Sequence, residues 1–194
     1  NVRVLGHAVE CSPTPNDFGA RKDILFVGAL DSPGSPNIDS VRWFCKEIFP
    51  RVRQQVNDAV RVIVAGRIGA ELRKELRGEF VEIVGEVTDL SNLYNHARVF
   101  IAPTRFAGGI PNKIHEAAAR GVPVVATSLL ETQLGWTHGA ELLAADDSNS
   151  FAASCSQLYQ DCALWTRLRE NALRRVAIEC SPKEFIHRLR DIIS

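Results

Sequence analysis

Six short apolar runs divide the chain: residues 23–30 (DILFVGAL), 60–66 (VRVIVAG), 80–85 (FVEIVG), 98–103 (RVFIAP), 122–127 (VPVVAT) and 141–145 (ELLAA). Most are continuously apolar rather than alternating, the pattern of strands covered on both faces, as in a parallel sheet. Between them the spacing of apolar positions changes to three and four. Residues 37–55 set Val41, Phe44, Ile48 and Val52 on one stripe, with Pro50 expected to bend or break that helix. Further helices are expected over 70–77, 89–97, 110–120, 150–160, 164–179 and 183–193. Alternating strands and helices predict an α/β fold: a Rossmann-like doubly wound parallel sheet, three layers deep, in a single domain. Ligands of such sheets bind beyond the carboxyl ends of the strands. The loops to watch are therefore 28–36, 66–69, 85–89, 103–110 and 127–138. Residues 1–22, with Pro13, Pro15 and Gly19, read as a lead-in or interdomain linker, 23–181 as the domain, and 182–194 as a terminal helix.

Composition narrows the function classes. The 194 residues carry 23 basic and 23 acidic side chains, so no overall field steers nucleic acid toward the chain. Cys11, Cys45, Cys155, Cys162 and Cys180 are odd in number and lack a C-x-x-C pair, which predicts buried or half-buried thiols in a reducing, cytoplasmic setting. No apolar run approaches the ~18 residues of a membrane span, and no secretory leader opens the chain. The first residue is Asn1 and there is no Met, which implies further residues upstream.

Chemistry concentrates in PTRFAGGIPNKIHEAAARG, residues 103–121. Gly108 and Gly109 let backbone amides approach a ligand closely. Pro111 suits the first turn of a helix and Gly121 its stop, so a helix is expected to open near Ile110 with a glycine pair at its positive end. Such an end is a phosphate site by its dipole and its free amides. Lys113 and Glu116 share a face: a lysine there neutralises phosphate, and a carboxylate one turn deeper accepts hydrogen bonds from ribose hydroxyls. Ile110, Ile114, Ala117 and Ala118 form the adjoining apolar stripe. A plain turn followed by a surface ion pair fits the same residues, so both readings stand at this point.

The segment EAAARGVPVVAT (116–127) resembles the signature of the family 4, or group 1, nucleotide-sugar glycosyltransferases. FVGAL with SPNIDSVRWF, VIVAG with VEIVGEVTDLSNLYNHARVFIAP, and FAASCSQLYQDCALWTRLRENA extend the likeness over about residues 23–181. The resemblance implies the C-terminal, donor-binding half of a two-domain GT-B fold. An N-terminal acceptor-binding domain would lie outside this chain, and residues 183–193 would cross back toward it. It implies that Glu116, as the second glutamate of a paired motif, holds the ribose. Gly108, Gly109, Ile110 and Asn112 would meet the diphosphate, with Lys113 at the phosphate or sugar, and the loop at Glu86 and Val87 would hold the base. Two family features are missing. The first glutamate is replaced by Gly108, and the Arg–Lys pair after the first strand has no counterpart in residues 29–37. Arg105 and Lys113 are the substitutes, and both are assigned catalytic roles.

The function this implies is transfer of a sugar, with retention, from a nucleoside diphosphate sugar to a glycan or lipid-linked acceptor. No metal or other cofactor is expected, because protein charge would stabilise the leaving diphosphate. A sugar-nucleotide 2-epimerase of the same fold and a non-catalytic nucleotide-binding module are the alternatives. Arg67 is read as solvated, His115 as structural or exposed, and Trp43, Trp136 and Trp165 as core or interface. The arginines between Arg167 and Arg190 read first as a solvated face and second as a peripheral contact with anionic lipid.

Overall fold

The computed structural model describes residues 7–56 and 59–193. All six apolar runs form strands: β1 (Asp23–Val27), β2 (Arg61–Ala65), β3 (Val81–Gly85), β4 (Ala97–Ala102), β5 (Val124–Ala126) and β6 (Leu143–Ala144). They make one parallel sheet in the order β3-β2-β1-β4-β5-β6. The order reverses direction between β1 and β4, and there the loops leaving the sheet part into a crevice. Side chains of β1 alternate between two cores. Ile24 and Phe26 join Val41, Phe44 and Phe151 on one face, while Leu25 joins Phe100, Ile114 and Leu130 on the other. Helices therefore cover both faces, giving the three layers that the apolar runs predict.

The helices are α1 (Pro36–Trp43), α2 (Phe49–Gln55), α3 (Ala70–Leu76), α4 (Ser91–His96), α5 (Asn112–Ala119), α6 (Ser128–Leu134), α7 (Ser148–Gln160), α8 (Cys162–Glu179) and α9 (Pro182–Ile193). Pro50 neither breaks the first helical segment nor leaves it regular. A π-helical turn at Phe44–Ile48 joins α1 to α2, with the Phe49 amide reaching five residues back to the Phe44 carbonyl. Proline has no N–H for the usual four-residue ladder, and the wider turn takes up that mismatch. The loop expected at 127–138 is mostly α6. Its carboxyl end is closed by Gly135 in the left-handed region, φ 66°.

Residues 7–20 are tied to the domain rather than loosely appended. Their amides reach the far side of the fold, from Val9 to the Cys180 carbonyl (2.7 Å), from Ser12 to Ala119 (3.0 Å) and from Thr14 to Arg120 (3.0 Å). Arg21 anchors this segment and is 0% exposed. Its guanidinium donates to the carbonyls of Asn16 (2.8 Å), Tyr94 (2.8 Å), Ala97 (3.0 Å) and Thr14 (3.3 Å), and to Thr14 Oγ1 (2.8 Å). Burial, and secondarily the nearby Arg169 charge, lower its pKa to about 10, so it stays charged at neutral pH.

The basic C-terminal face is partly structural, contrary to the solvated face expected. Arg169 donates to the Gly121 carbonyl and to that of Thr14 (3.0 Å), and Arg175 donates to the Gly135 carbonyl (3.1 Å). Cations thus sit at the carboxyl ends of α5 and α6, where the helix dipoles favour them. Helix α9 has no buried residue, and it exposes Ile186, Ile192 and Ile193. Cys162 is exposed, unlike the half-buried thiol expected; Cys155 and Cys180 are buried, and all five thiols are free. Among the described residues no helix is long and apolar enough to cross a membrane.

Candidate functional site

The crevice between β1 and β4 is bordered by the loop that leads from β1 into α1 and by residues 103–111 before α5. Three hydroxyls fix its floor. Ser40 Oγ on α1 donates to the Pro36 carbonyl (2.6 Å) and accepts from Thr104 Oγ1 (3.2 Å), and Thr127 Oγ1 after β5 donates to the Thr104 carbonyl (2.6 Å). Ser40, Thr104 and Thr127 are all buried, so these bonds hold the exits of β4 and β5 against α1. The next stretch, Arg105 to Ile110, is exposed. Gln133 of α6 steadies it by donating to the Ala107 carbonyl (3.1 Å).

Helix α5 begins at Asn112, two residues later than its sequence suggests. Pro111 is the N-cap, at φ −79° and ψ 66°, rather than a first-turn residue. The chain tightens before the helix proper. The Asn112 amide donates to Ile110 O (2.9 Å) and the Ile114 amide to Pro111 O (2.9 Å). Those two donors are therefore engaged, and Gly108, Gly109 and Ile110 line the cavity ahead of them. Gly109 sits at φ 127°, a conformation L side chains rarely adopt, and a Cβ on Gly108 or Gly109 would meet nothing within 4 Å. Ile110 is 41% exposed and so leaves the apolar stripe expected of it, whereas Ile114, Ala117 and Ala118 are buried.

Lys113 and Glu116 open onto different cavities on either side of the head of α5. The Lys113 cavity holds about 290 Å³ and is lined by Asn37, Thr104, Gly108, Gly109, Ile110 and Asn112 among others. Among the described residues lining it, Lys113 carries the only charge. Its ammonium donates to Asn37 Oδ1 and lies 4.9 Å from the centre of the Phe26 ring. Burial lowers its pKa to about 8. The Glu116 cavity, of about 420 Å³, is lined by Val87, Thr88 and Leu90 from the β3–α4 connection, by Tyr94 of α4, and by His7 and Glu10 from the lead-in. Three apart on a helix means about 60° around its axis, enough to send neighbouring side chains to opposite sides of one ridge.

The other candidates fall elsewhere. Arg105 lines neither cavity. Its fork is bidentate with Asp39 (2.9 and 2.6 Å) and lies 5.1 Å from the Trp43 ring, so the free cation expected there is committed to a carboxylate. Glu86 is exposed and lines neither cavity, while Val87 lines the Glu116 cavity. Arg67 holds Asp31 in an exposed ion pair. His115 is 7% exposed, against the rings of His7 (5.2 Å) and Trp136 (5.6 Å). Burial, with a smaller part from His7, lowers its pKa to about 4, so it is neutral at physiological pH. Trp43, Trp136 and Trp165 are all buried. Among the described residues no group of three or more His, Cys, Asp or Glu side chains is placed to hold a metal ion.

Three side chains of the Lys113 cavity escaped the sequence reading. Asn37 and Thr104 reach it only through strand order. Gln133 lies on the unexpected α6, whose signal was the polar Thr127–Ser128 start and the Gly135 stop.

Comparison with known proteins agrees with this fold. The chain is 28% identical, over 139 residues, to an uncharacterized 44.6 kDa protein in the cps region of Klebsiella pneumoniae; the match takes in 67% of this chain and 35% of that one. The chain thus spans about a third of its curated relative. Its fold superposes on a variant of S. aureus TarM with a TM-score of 0.79, at 14% identity, over 99% of this chain and 39% of that one; that structure holds UDP, fondaparinux and α-GlcNAc-glycerol. It superposes also on the C-terminal domain of the group 1 family glycosyl transferase LpcC from Francisella tularensis, with a TM-score of 0.71 and 13% identity, over 90% of this chain and all of that one. The fold is that of a GT-B C-terminal domain. The family described as glycosyl transferases group 1 matches residues 21–161, all six strands and the crevice included, and the chain belongs to that family.

Proposed function

We propose that this chain is the donor-binding half of a glycosyltransferase, and that a nucleoside diphosphate sugar lies across the head of α5. The observation that carries this reading is the pairing of two cavities at the sheet's switch point. One contains a single charge, the Lys113 cation; the other contains the open carboxylate of Glu116, with Glu10, Asp89 and Arg120 also on its walls. The diphosphate fits the first, against Lys113 and the amides of Gly108, Gly109 and Ile110, with Asn112 beside them. The ribose fits the second, with Glu116 accepting from its hydroxyls and the base near Val87. Lys113 would stabilise the charge that develops on the leaving diphosphate, because a preorganised cation in a partly dehydrated site acts most strongly where charge grows. The acceptor, a glycan or lipid-linked sugar, would be held mainly by a second, N-terminal domain, with retention at the transferred carbon. Peripheral contact with anionic lipid would fall to the other arginines of the C-terminal helices, since Arg169 and Arg175 are drawn to backbone carbonyls.

A binding module without transfer is favoured by two observations: Arg105 is held by Asp39, and Gly108 supplies no carboxylate toward a sugar. Release of sugar from the donor separates the two readings.

The test of donor binding is calorimetry with uridine, guanosine and adenosine diphosphates. One of them is expected to bind, and Glu116→Ala is expected to weaken it about tenfold, near 1.4 kcal/mol. Absence of binding by all three contradicts the reading. An unchanged affinity in Glu116→Ala contradicts the ribose assignment alone.

A further inference from the structure

The basic groups around the crevice divide sharply by the partner each holds. Arg67 holds Asp31, Arg105 holds Asp39, and Arg42 with Lys46 holds Glu75. Lys113 holds an amide instead: its ammonium meets Asn37 Oδ1, and Asn37 Nδ2 donates to the Ala29 carbonyl (3.2 Å) on the loop leaving β1. That second bond fixes which end of the amide faces the lysine. Gly28 makes room for it, since a Cβ there would lie 2.9 Å from Asn37 Nδ2. The Phe26 ring below offers a π face but no countercharge. The result is a full positive charge, oriented by an acceptor that leaves it intact, in a cavity whose lining carries no anion among the described residues.

We propose that Asn37 is the positioning residue of the diphosphate site, holding the Lys113 ammonium across the crevice from α1 to α5 while leaving its charge for the ligand. The inference rests on the diphosphate reading above and deepens it: it names what keeps the binding cation both placed and unneutralised. A carboxylate at this position would grip the lysine more strongly and cancel the charge the phosphates need. An alanine would leave the charge but release the long side chain to many rotamers. Sequence position explains why the relation is hidden, since Asn37 and Lys113 are 76 residues apart.

The test combines two measurements on the protein. The first follows the Lys113 ε-carbon by NMR through a pH titration without nucleotide, with Lys113→Arg to assign the signal. The second is calorimetry with uridine, guanosine and adenosine diphosphates. Asn37→Asp is expected to move the Lys113 titration upward by a unit or more, and to weaken nucleotide binding about tenfold or more, the worth of one charge-assisted contact. Asn37→Ala is expected to weaken binding only a few-fold, by about the rotamer freedom it restores. The exchanged pair Asn37→Lys with Lys113→Asn puts the ammonium and the amide on opposite walls of the same contact. It is expected to recover most of the affinity that Lys113→Asn alone loses, which a merely structural Asn37 would not permit. That pair also carries the test if Asn37→Asp fails to fold.

A Lys113 titration unmoved by Asn37→Asp in a folded protein overturns the proposal, as does failure of the exchanged pair to regain affinity. A titration that moves in a protein binding none of the three nucleotides supports the Asn37–Lys113 relation and overturns the diphosphate reading instead.

Discussion

Replacing Arg21 by leucine is expected to lower the free energy of unfolding by about 3–5 kcal/mol, since each buried acceptor left without a donor costs ~1–3 kcal/mol. The side chain is fully buried, and its five hydrogen bonds all end on neutral acceptors: the carbonyls of Asn16, Tyr94, Ala97 and Thr14, and the Thr14 hydroxyl. Leucine fills part of the volume but donates nothing. The carbonyls of Tyr94 and Ala97 flank the entry to β4, and that of Thr14 belongs to the lead-in, so the loss separates two parts of the chain at once. Arg21→Lys is expected to recover less than half, because an ammonium lacks the planar fork that spans these acceptors. At ~2–4 °C per kcal/mol for a domain of this size, the leucine variant should melt roughly 10 °C lower. Urea titration checks this, and a loss below about 1 kcal/mol would show that water replaces the guanidinium at these carbonyls.

The second large effect concerns Lys113. Removing its charge by Lys113→Met is expected to weaken nucleoside diphosphate binding by about ten- to hundredfold, the range for a hydrogen bond to a charged group at ~1.5–3 kcal/mol. The pH dependence has a definite sign. Burial lowers the Lys113 pKa to about 8 in the free protein, and a bound diphosphate raises it. Affinity is then fully present below about pH 7. It falls as pH rises through 8, by up to tenfold per unit, until the pKa of the bound state is reached. Stability without nucleotide runs the opposite way. The folded lysine binds its proton less tightly than the unfolded one, so this group's contribution rises between about pH 8 and the unfolded value of 10.5. Lys113→Arg should flatten both profiles, because a guanidinium stays charged throughout. Calorimetry from pH 6.5 to 9.5 checks the first, and equal affinity at both ends in the unaltered protein would place the phosphates away from Lys113.

How much of this was legible in the sequence follows from the range of the forces involved. The strands were readable because β1, β2 and β4 are covered on both faces, and that demand acts residue by residue. The glycine pair, Lys113 and Glu116 were readable because they sit within one local segment. Long-range relations were not. Nothing beside Arg21 in the sequence marks it as buried, since its acceptors come from residues 14–16 and 94–97. Arg105 looked available because Asp39 is 66 residues away. The start of α5 was misplaced because Pro111 fits both an N-cap and a first turn, and the choice depends on the turn made at Ile110. Helix α6 was missed because SLLETQL is short and half polar. Its burial comes from Leu130 packing beneath the sheet's exit, which no local period announces.

The measurement that tests the central claim most directly is a crystal structure of the protein soaked with uridine, guanosine or adenosine diphosphate, whichever binds. The account predicts phosphate oxygens against Lys113 Nζ and the amides of Gly108 to Ile110, with the ribose hydroxyls on Glu116. A nucleotide seated elsewhere, for instance in the basic hollow of Arg73, Lys74 and Arg77 beside β3, with both α5 cavities filled only by solvent, would contradict it.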